Sequence, residues 1–160
     1  MSKGRAPKLL NQTEYQALSE FRYQLRRYLR FMEEKAREAG QNPQQYQLLL
    51  AIKGLPAEVG PTIGALADRM QLNHNSLVEL VDRCERRGLL RRARSGKDRR
   101  QVELVVTTEG DQVLGKLAAA GREELRTIGP LMAQSLQNLI PSESRGRHGS
   151  GSSRGKKTQS

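Results

Sequence analysis

Tryptophan is absent, phenylalanine occurs twice, and aromatic residues make up only 4% of the 160-residue chain. Burial must therefore rest on Leu, Ile, Val, Ala and Met, and the length suffices for one such core, or for one domain and a tail. A single cysteine, Cys84, excludes an intramolecular disulfide framework and fits a reducing compartment. There are two histidines, one of them near the C-terminus, so no Cys or His cluster has metal-ligand spacing. A glycine-rich phosphate loop is also missing. These gaps leave little for an enzyme, and neither a metal nor a cofactor is expected. No stretch approaches the roughly eighteen apolar residues of a membrane span, and the N-terminus has no apolar signal core, so a cytoplasmic soluble protein is expected.

Acidic residues are the other shortage: 17 Asp and Glu stand against 28 Lys and Arg, a net charge of +11. Residues 83–100 carry nine Lys and Arg and two acids, and residues 141–160 carry five against one, while the rest of the chain balances. A charge excess confined to one short stretch and a tail favours a polyanionic partner. The cations of the first stretch are not spread along an amphipathic helix, which argues against a membrane surface as that partner.

Periodicity organises the remainder. From Thr13 to Ala39 the residues Leu18, Phe21, Leu25, Tyr28, Leu29, Met32 and Ala36 recur at three- and four-residue steps, predicting a long amphipathic helix that stops at Gly40. Asn42-Pro43 opens a second helix with Tyr46, Leu49, Leu50 and Ile52 as its buried face. The segment Gly54 to Pro61 is a connector. Thr62 caps a short third helix bearing Ile63, Leu66, Ala67 and Met70, Gln71-Leu72 forms a tight turn, and Asn73 caps a fourth helix that runs to Gly88. In that helix Leu77, Leu80, Val81 and Cys84 share one face, with His74, Asn75, Val78, Glu79, Asp82 and Arg86 opposite. A short helix, a turn and a longer helix make a helix-turn-helix.

Leu89 to Arg94 and Gln101 to Val106 then predict two strands, with Val102, Leu104 and Val106 on one side and Ser95-Gly96-Lys97-Asp98 as the turn. Thr107 or Thr108 caps a helix carrying Val113, Leu114 and Leu117. Gly129-Pro130 interrupts it ahead of a last helix with Leu131, Met132, Leu136, Leu139 and Ile140. From Pro141 onward Gly, Ser, Arg and Lys dominate, and residues 141–160 read as a disordered basic tail.

Arg91, Arg92, Arg94, Lys97, Arg99 and Arg100 surround the hairpin turn, with Asp98 alone among them. A solvated loop can be this basic by chance. A helix-turn-helix immediately before it and strands on both sides favour a loop built to touch a polyanion.

The order of elements, the run LNHNSLVELVDRCERRGLL (Leu72 to Leu90) and the run KDRRQVELVVTTEG (Lys97 to Gly110) resemble the multiple antibiotic resistance regulator (MarR) family of bacterial transcription factors. The resemblance is collinear over about residues 12–140. It implies a mainly α fold with a small β-hairpin wing (an α+β winged helix-turn-helix) in one domain, 1–140. Residues 43–106 would form the DNA-binding lobe, and residues 12–40 and 108–140 the dimerisation helices, interleaved across a twofold axis. The terminal helices carry more apolar residues than one winged core can cover, which independently favours a homodimer.

The N-terminal residues of a recognition helix meet base edges in the major groove. Asn73, His74, Asn75, Ser76, Val78 and Glu79 are the candidates, with Arg83 and Arg86 further along. Asn75 is suited to adenine, Val78 to a thymine methyl, and Glu79 either to cytosine N4 or to an ion pair with Arg83 one turn on. Arg94, Ser95, Lys97, Asp98, Arg99 and Arg100 are the wing candidates. The resemblance implies that Arg100 enters the minor groove, oriented by Asp98, with Arg99 or Lys97 near phosphate. Arg91 and Arg92 join Arg83, Arg86 and Arg94 as phosphate contacts.

The function implied is a sequence-specific, double-stranded-DNA-binding transcriptional regulator, a nucleoid-associated homodimeric repressor at a palindromic operator. It would be relieved by a small aromatic or anionic effector in a crevice between the dimerisation helices and the DNA-binding lobe. Tyr15, Tyr23, Arg22, Arg26 and Arg27 on the first helix are candidates for that crevice, and equally for exposed or dimer-contact positions. The alternative is an architectural DNA-binding protein with low sequence specificity and no effector. Cys84 falls on the apolar face of its helix and reads as packing and not as a redox sensor.

Overall fold

A computed structural model describes residues 9–56, 58–96 and 100–140; Lys97, Asp98, Arg99 and the expected tail 141–160 lie outside the described residues, as does Ala57. Each helix begins where its sequence supplies a cap. Asn11 opens α1 (Gln12–Glu38) through a capping box: its side chain accepts from the Glu14 N–H, and the Glu14 carboxylate accepts from the Asn11 N–H. Asn42 precedes α2 (Pro43–Lys53), with proline at the first helical position, where its missing N–H costs nothing. Thr62 caps α3 (Ile63–Met70), Asn73 caps α4 (His74–Arg86), and Thr107 rather than Thr108 caps α5 (Thr108–Leu139). The strands β1 (Leu90–Arg94) and β2 (Val102–Val106) pair antiparallel, Leu90 opposite Val106 and Arg94 opposite Val102.

One apolar cluster joins these elements. Leu48, Leu49, Leu66, Leu77, Leu80, Val81, Leu90 and Leu104 form its centre, and Met32, Ala36, Leu114 and Leu117 bind the long helices to it. Alpha-1 and α5 run against each other closely at Gly121, where a Cβ would stand 2.9 Å from Met32 Sδ and 3.0 Å from the Tyr28 hydroxyl.

Four expectations change. Leu50 is 44% exposed and not part of the α2 core face. Leu48 takes the inward position, and two residues on means about 200° around the helix. On α1 the buried residues are Ala17, Gln24, Met32 and Ala36, whereas Leu18, Leu25 and Leu29 of the expected stripe lie exposed beside them. Val102 is exposed because it sits at the hairpin's far end, beyond the core that takes Leu104. Finally, Gly129-Pro130 does not interrupt α5, which continues through the proline as one 32-residue helix. Ile128 and Ser135 are buried on either side of it, and that packing offsets the ~3 kcal/mol an interior proline costs.

Sequence-distant segments meet at the start of α5. Gly88, with φ of 69°, ends α4 in the left-handed region that favours glycine. The next carbonyl, Leu89 O, accepts from the Thr107 N–H at 3.1 Å, and the Thr107 hydroxyl donates to Gly88 O at 2.6 Å. A Cβ on Gly110 would lie 2.0 Å from Leu89 O, so only glycine fits there. We expect Gly110→Ala to destabilise the protein by about 3 kcal/mol, the upper range for overpacking against a fixed neighbour. Gly115→Ala, in the same helix with nothing within 4 Å of its Cβ, should stabilise by about 0.5–1 kcal/mol. Urea unfolding of both variants measures the contrast.

Candidate nucleic-acid interface

Alpha-4 is amphipathic in a way that fixes what it offers to solvent. Leu77, Leu80, Val81 and Cys84 are buried. Asn75, Glu79, Asp82 and Arg86, spaced four, three and four residues apart, line the opposite side. Asn75, Glu79 and Arg86 are exposed, as are His74 and Arg83, while Ser76, Val78 and Asp82 are half-buried. The turn before α4 places Gln71 at φ 54°, a left-handed conformation rare for a residue with a side chain. The bond from the Leu72 N–H to Ala67 O at 3.0 Å closes that turn. Asn73 belongs to the architecture as well as to the surface, because its side-chain oxygen accepts from the Ser76 N–H at 2.8 Å.

The hairpin stands beside this helix. Leu90 and Leu104 anchor its base in the core, and Arg91, Arg94 and Arg100 are exposed. Ser95 departs from expectation: it is 3% exposed, and its hydroxyl donates to Glu103 Oε1 at 2.6 Å, so it shapes the turn from within and is no surface contact. Its N–H donates to Gln101 O at 2.9 Å across the same turn. The connector before α3 supports the far strand, with the Leu104 N–H donating to Pro61 O at 2.9 Å. Lys97, Asp98 and Arg99, and with them the orienting role expected of Asp98, lie outside the described residues.

Arg92 is the second departure. Its guanidinium does not point outward to a phosphate; Nη2 donates to Asp82 Oδ1 at 2.6 Å and Nη1 to Glu85. These bonds, to Asp82 above all, hold the guanidinium even more firmly in its charged form. Arg87, to which the sequence reading gave no role, donates to Gln45 Oε1 at 3.0 Å and to Gly40 O at 3.1 Å, tying the end of α4 to the α1–α2 turn. Only its position after the apolar face of α4 hinted at this. Among the described residues Glu79 and Arg83 form no ion pair with each other, so that alternative for Glu79 falls away.

Of the first-helix candidates, Tyr23, Arg26 and Arg27 line an open groove of about 580 Å³ with Leu29, Arg30 and Glu33, whereas Tyr15 and Arg22 do not. The Arg27 guanidinium lies 6.0 Å from the Tyr23 ring centroid. A second cavity of about 200 Å³ lies between α1 and α2, lined by Tyr28, Leu29, Met32, Glu33, Pro43, Tyr46, Gln47 and Leu50. Among the described residues no group of His, Cys, Asp and Glu is placed to hold a metal ion, and no helix is long and apolar enough to cross a membrane.

The sequence profile described as MarR family matches residues 39–101. The HTH-type transcriptional repressor MdtR of Bacillus subtilis (strain 168) is 30% identical over 80 residues, 50% of this chain and 50% of that protein. The chain spans about half the length of the curated relatives it matches. CouR from Rhodococcus jostii RHA1, solved bound to p-coumaroyl-CoA, superposes with a TM-score of 0.55 at 23% identity, over 74% of this chain and 87% of that one. A MepR variant from S. aureus, solved bound to an oligodeoxyribonucleotide, gives 0.51 at 21% identity, over 81% and 86%. At these identities the two structures speak for the fold.

Cys84 is fully enclosed, and burial pushes its thiol from the ordinary 9.0 up to about 11, against the pull of the Arg83 and Arg87 charges. A neutral thiol is a poor nucleophile. Native protein at pH 8 should therefore resist iodoacetamide, with modification appearing only as denaturant opens the core. Because the unfolded thiol ionises first, stability should be unaffected by this group below pH 9.0 and fall as pH rises toward about 11. Mass-resolved alkylation and unfolding titrations across that window test both statements.

Proposed function

We propose, from the match of residues 39–101 to the MarR family profile and the winged-helix fold, that this chain is a sequence-specific regulator of transcription acting on double-stranded DNA. We read it as a homodimeric repressor that a small molecule releases from a palindromic operator. The observation that carries this reading is the side-by-side display of the outward stripe of α4 and a hairpin with Arg91, Arg94 and Arg100 exposed, both rooted in one core. A helix of these dimensions fits the major groove, and a basic finger next to it reaches the adjoining minor groove.

Roles follow from position. Asn75, with Val78 and His74, reads base edges near the start of α4, and Ser76 and Asn73 meet the backbone there. Glu79, exposed, accepts from a cytosine amino group. Arg83, Arg86, Arg91 and Arg94 hold phosphates, setting register without reading sequence. Arg100 enters the minor groove, and Lys97, Asp98 and Arg99 are assigned to the same DNA contact. The exposed Leu18, Leu25 and Leu29 of α1 and Leu125, Leu131 and Leu136 of α5 supply the apolar surface for a second copy. Matched half-sites then lie one helical turn, ~34 Å, apart, so an effector that alters the spacing of the two α4 helices weakens binding. The cavity between α1 and α2 fits an aromatic effector, as the CoA-thioester complex of CouR suggests by analogy. Such a protein works in the cytoplasm at the nucleoid and catalyses no reaction.

Footprinting on duplexes selected from random sequence tests the reading: one protected palindrome supports it, and a uniform ladder replaces it with an architectural protein. Arg100→Ala should weaken operator binding by ~1–3 kcal/mol with the fold intact, measured by fluorescence anisotropy. A dimer neutralising about six to ten phosphates should lose roughly a thousandfold or more in affinity between about 50 and 200 mM salt. A salt-independent affinity would overturn the electrostatic account.

A further inference from the structure

Three groups on Arg92 are engaged by α4. Its main-chain N–H donates to Glu85 Oε1 at 3.0 Å, Nη1 reaches the other Glu85 oxygen, and Nη2 reaches Asp82 Oδ1 at 2.6 Å. Asp82 and Glu85 lie one turn apart, so a single planar guanidinium spans both. A lone exposed ion pair contributes about 0–1 kcal/mol, because solvent screens it and the side chains lose freedom. Here all three side chains are between about a third and a half exposed, but a forked contact that also fixes a main-chain amide is a network, for which that discount is smaller. The two carboxylates also have an electrostatic effect. They stand on α4 among Arg83, Arg86 and Glu79, and uncompensated they would repel a polyanion.

We propose that Arg92 is the positioning residue of this surface: by gripping Asp82 and Glu85 it sets the angle of the hairpin to α4 and neutralises the two acids nearest the hairpin's root. It touches no nucleic acid. The inference rests on the regulator reading above and gives Arg92 a part that its place in the basic run conceals.

The sign of one measurement separates this from a phosphate contact. Removing acids from a DNA-binding face ordinarily raises affinity for every duplex, and a guanidinium freed to meet phosphate would raise it further. For a latch, Asp82→Ala/Glu85→Ala should lower affinity for the duplex selected by the unaltered protein by about tenfold, mid-range for residues coupled in one network, while affinity for an unrelated duplex rises. Alanine is the strongest helix former, so α4 is not weakened by the change. Affinities rising together for both duplexes would overturn the proposal.

Arg92→Lys provides a second arm that keeps net charge and avoids any folding defect of the double variant. An ammonium cannot span both carboxylates, so operator affinity should fall about as far. Wild-type affinity in this variant would overturn the proposal. Hydrogen exchange at the Arg92 amide reads the latch without DNA: slow in the unaltered protein and faster in Asp82→Ala/Glu85→Ala, with equal rates counting against it. If the unaltered protein selects no duplex at all, the regulator reading fails, and the exchange result still decides whether the latch exists.

Discussion

The carbonyl of Leu89 lies so close to Gly110 that no side chain fits between them, and the placement of the outward-facing surface follows from that contact. Leu89 is the hinge point of the chain: α4 has just ended at Gly88, and the hairpin is about to begin. Its carbonyl accepts from Thr107, which also caps α5 and returns a hydroxyl hydrogen bond to Gly88. Three elements are thereby locked at one spot through main-chain geometry, which rotamer changes cannot relax. Leu90 and Leu104 then carry the hairpin into the same core that holds Leu77, Leu80 and Val81 of α4. Helix and hairpin are thus presented together at the start of α5.

Charge works differently in this unit from what its total suggests. The excess of Arg and Lys over residues 83–100 reads as a supply of phosphate contacts, yet Arg87 and Arg92 bond to the protein's own groups. Each ties α4 to a neighbour, Arg87 to the α1–α2 turn and Arg92 to β1. Among the described residues Arg83, Arg86, Arg91, Arg94 and Arg100 are exposed, distributed over helix and hairpin alike. A basic cluster of this kind is both fastener and surface, and only geometry assigns each cation to one or the other.

Local chemistry was legible in the sequence. Asn42, Thr62, Asn73 and Thr107 each cap the helix they precede because capping involves residues two or three apart. The α4 core face and the existence of the two hairpin strands came from periods of 3.6 and 2, which need no knowledge of the partner. Non-local interactions were hidden. Ser95 looked like a tip residue until Glu103 claimed its hydroxyl, and Arg92 looked like its neighbours until Asp82 and Glu85 did the same. Pro130 signalled a break because its local cost is known, whereas the burial of Ile128 and Ser135 that overrides it is a property of the packed helix pair. Gln71 carries no mark of its left-handed backbone, since that conformation is imposed by the turn it closes.

The bond from Leu104 to Pro61 has a consequence for how the molecule behaves in a crowd. Arg92 and Leu104 face each other across the hairpin with both amides turned outward, one meeting Glu85 and the other Pro61. A two-stranded ribbon ordinarily leaves two open flanks on which a stray extended segment can dock, the usual seed of fibrous association. In this ribbon both flanks are plugged at mid-strand by the protein's own groups. Valine-rich β2 is therefore free to stand at the surface without recruiting neighbours into a growing sheet.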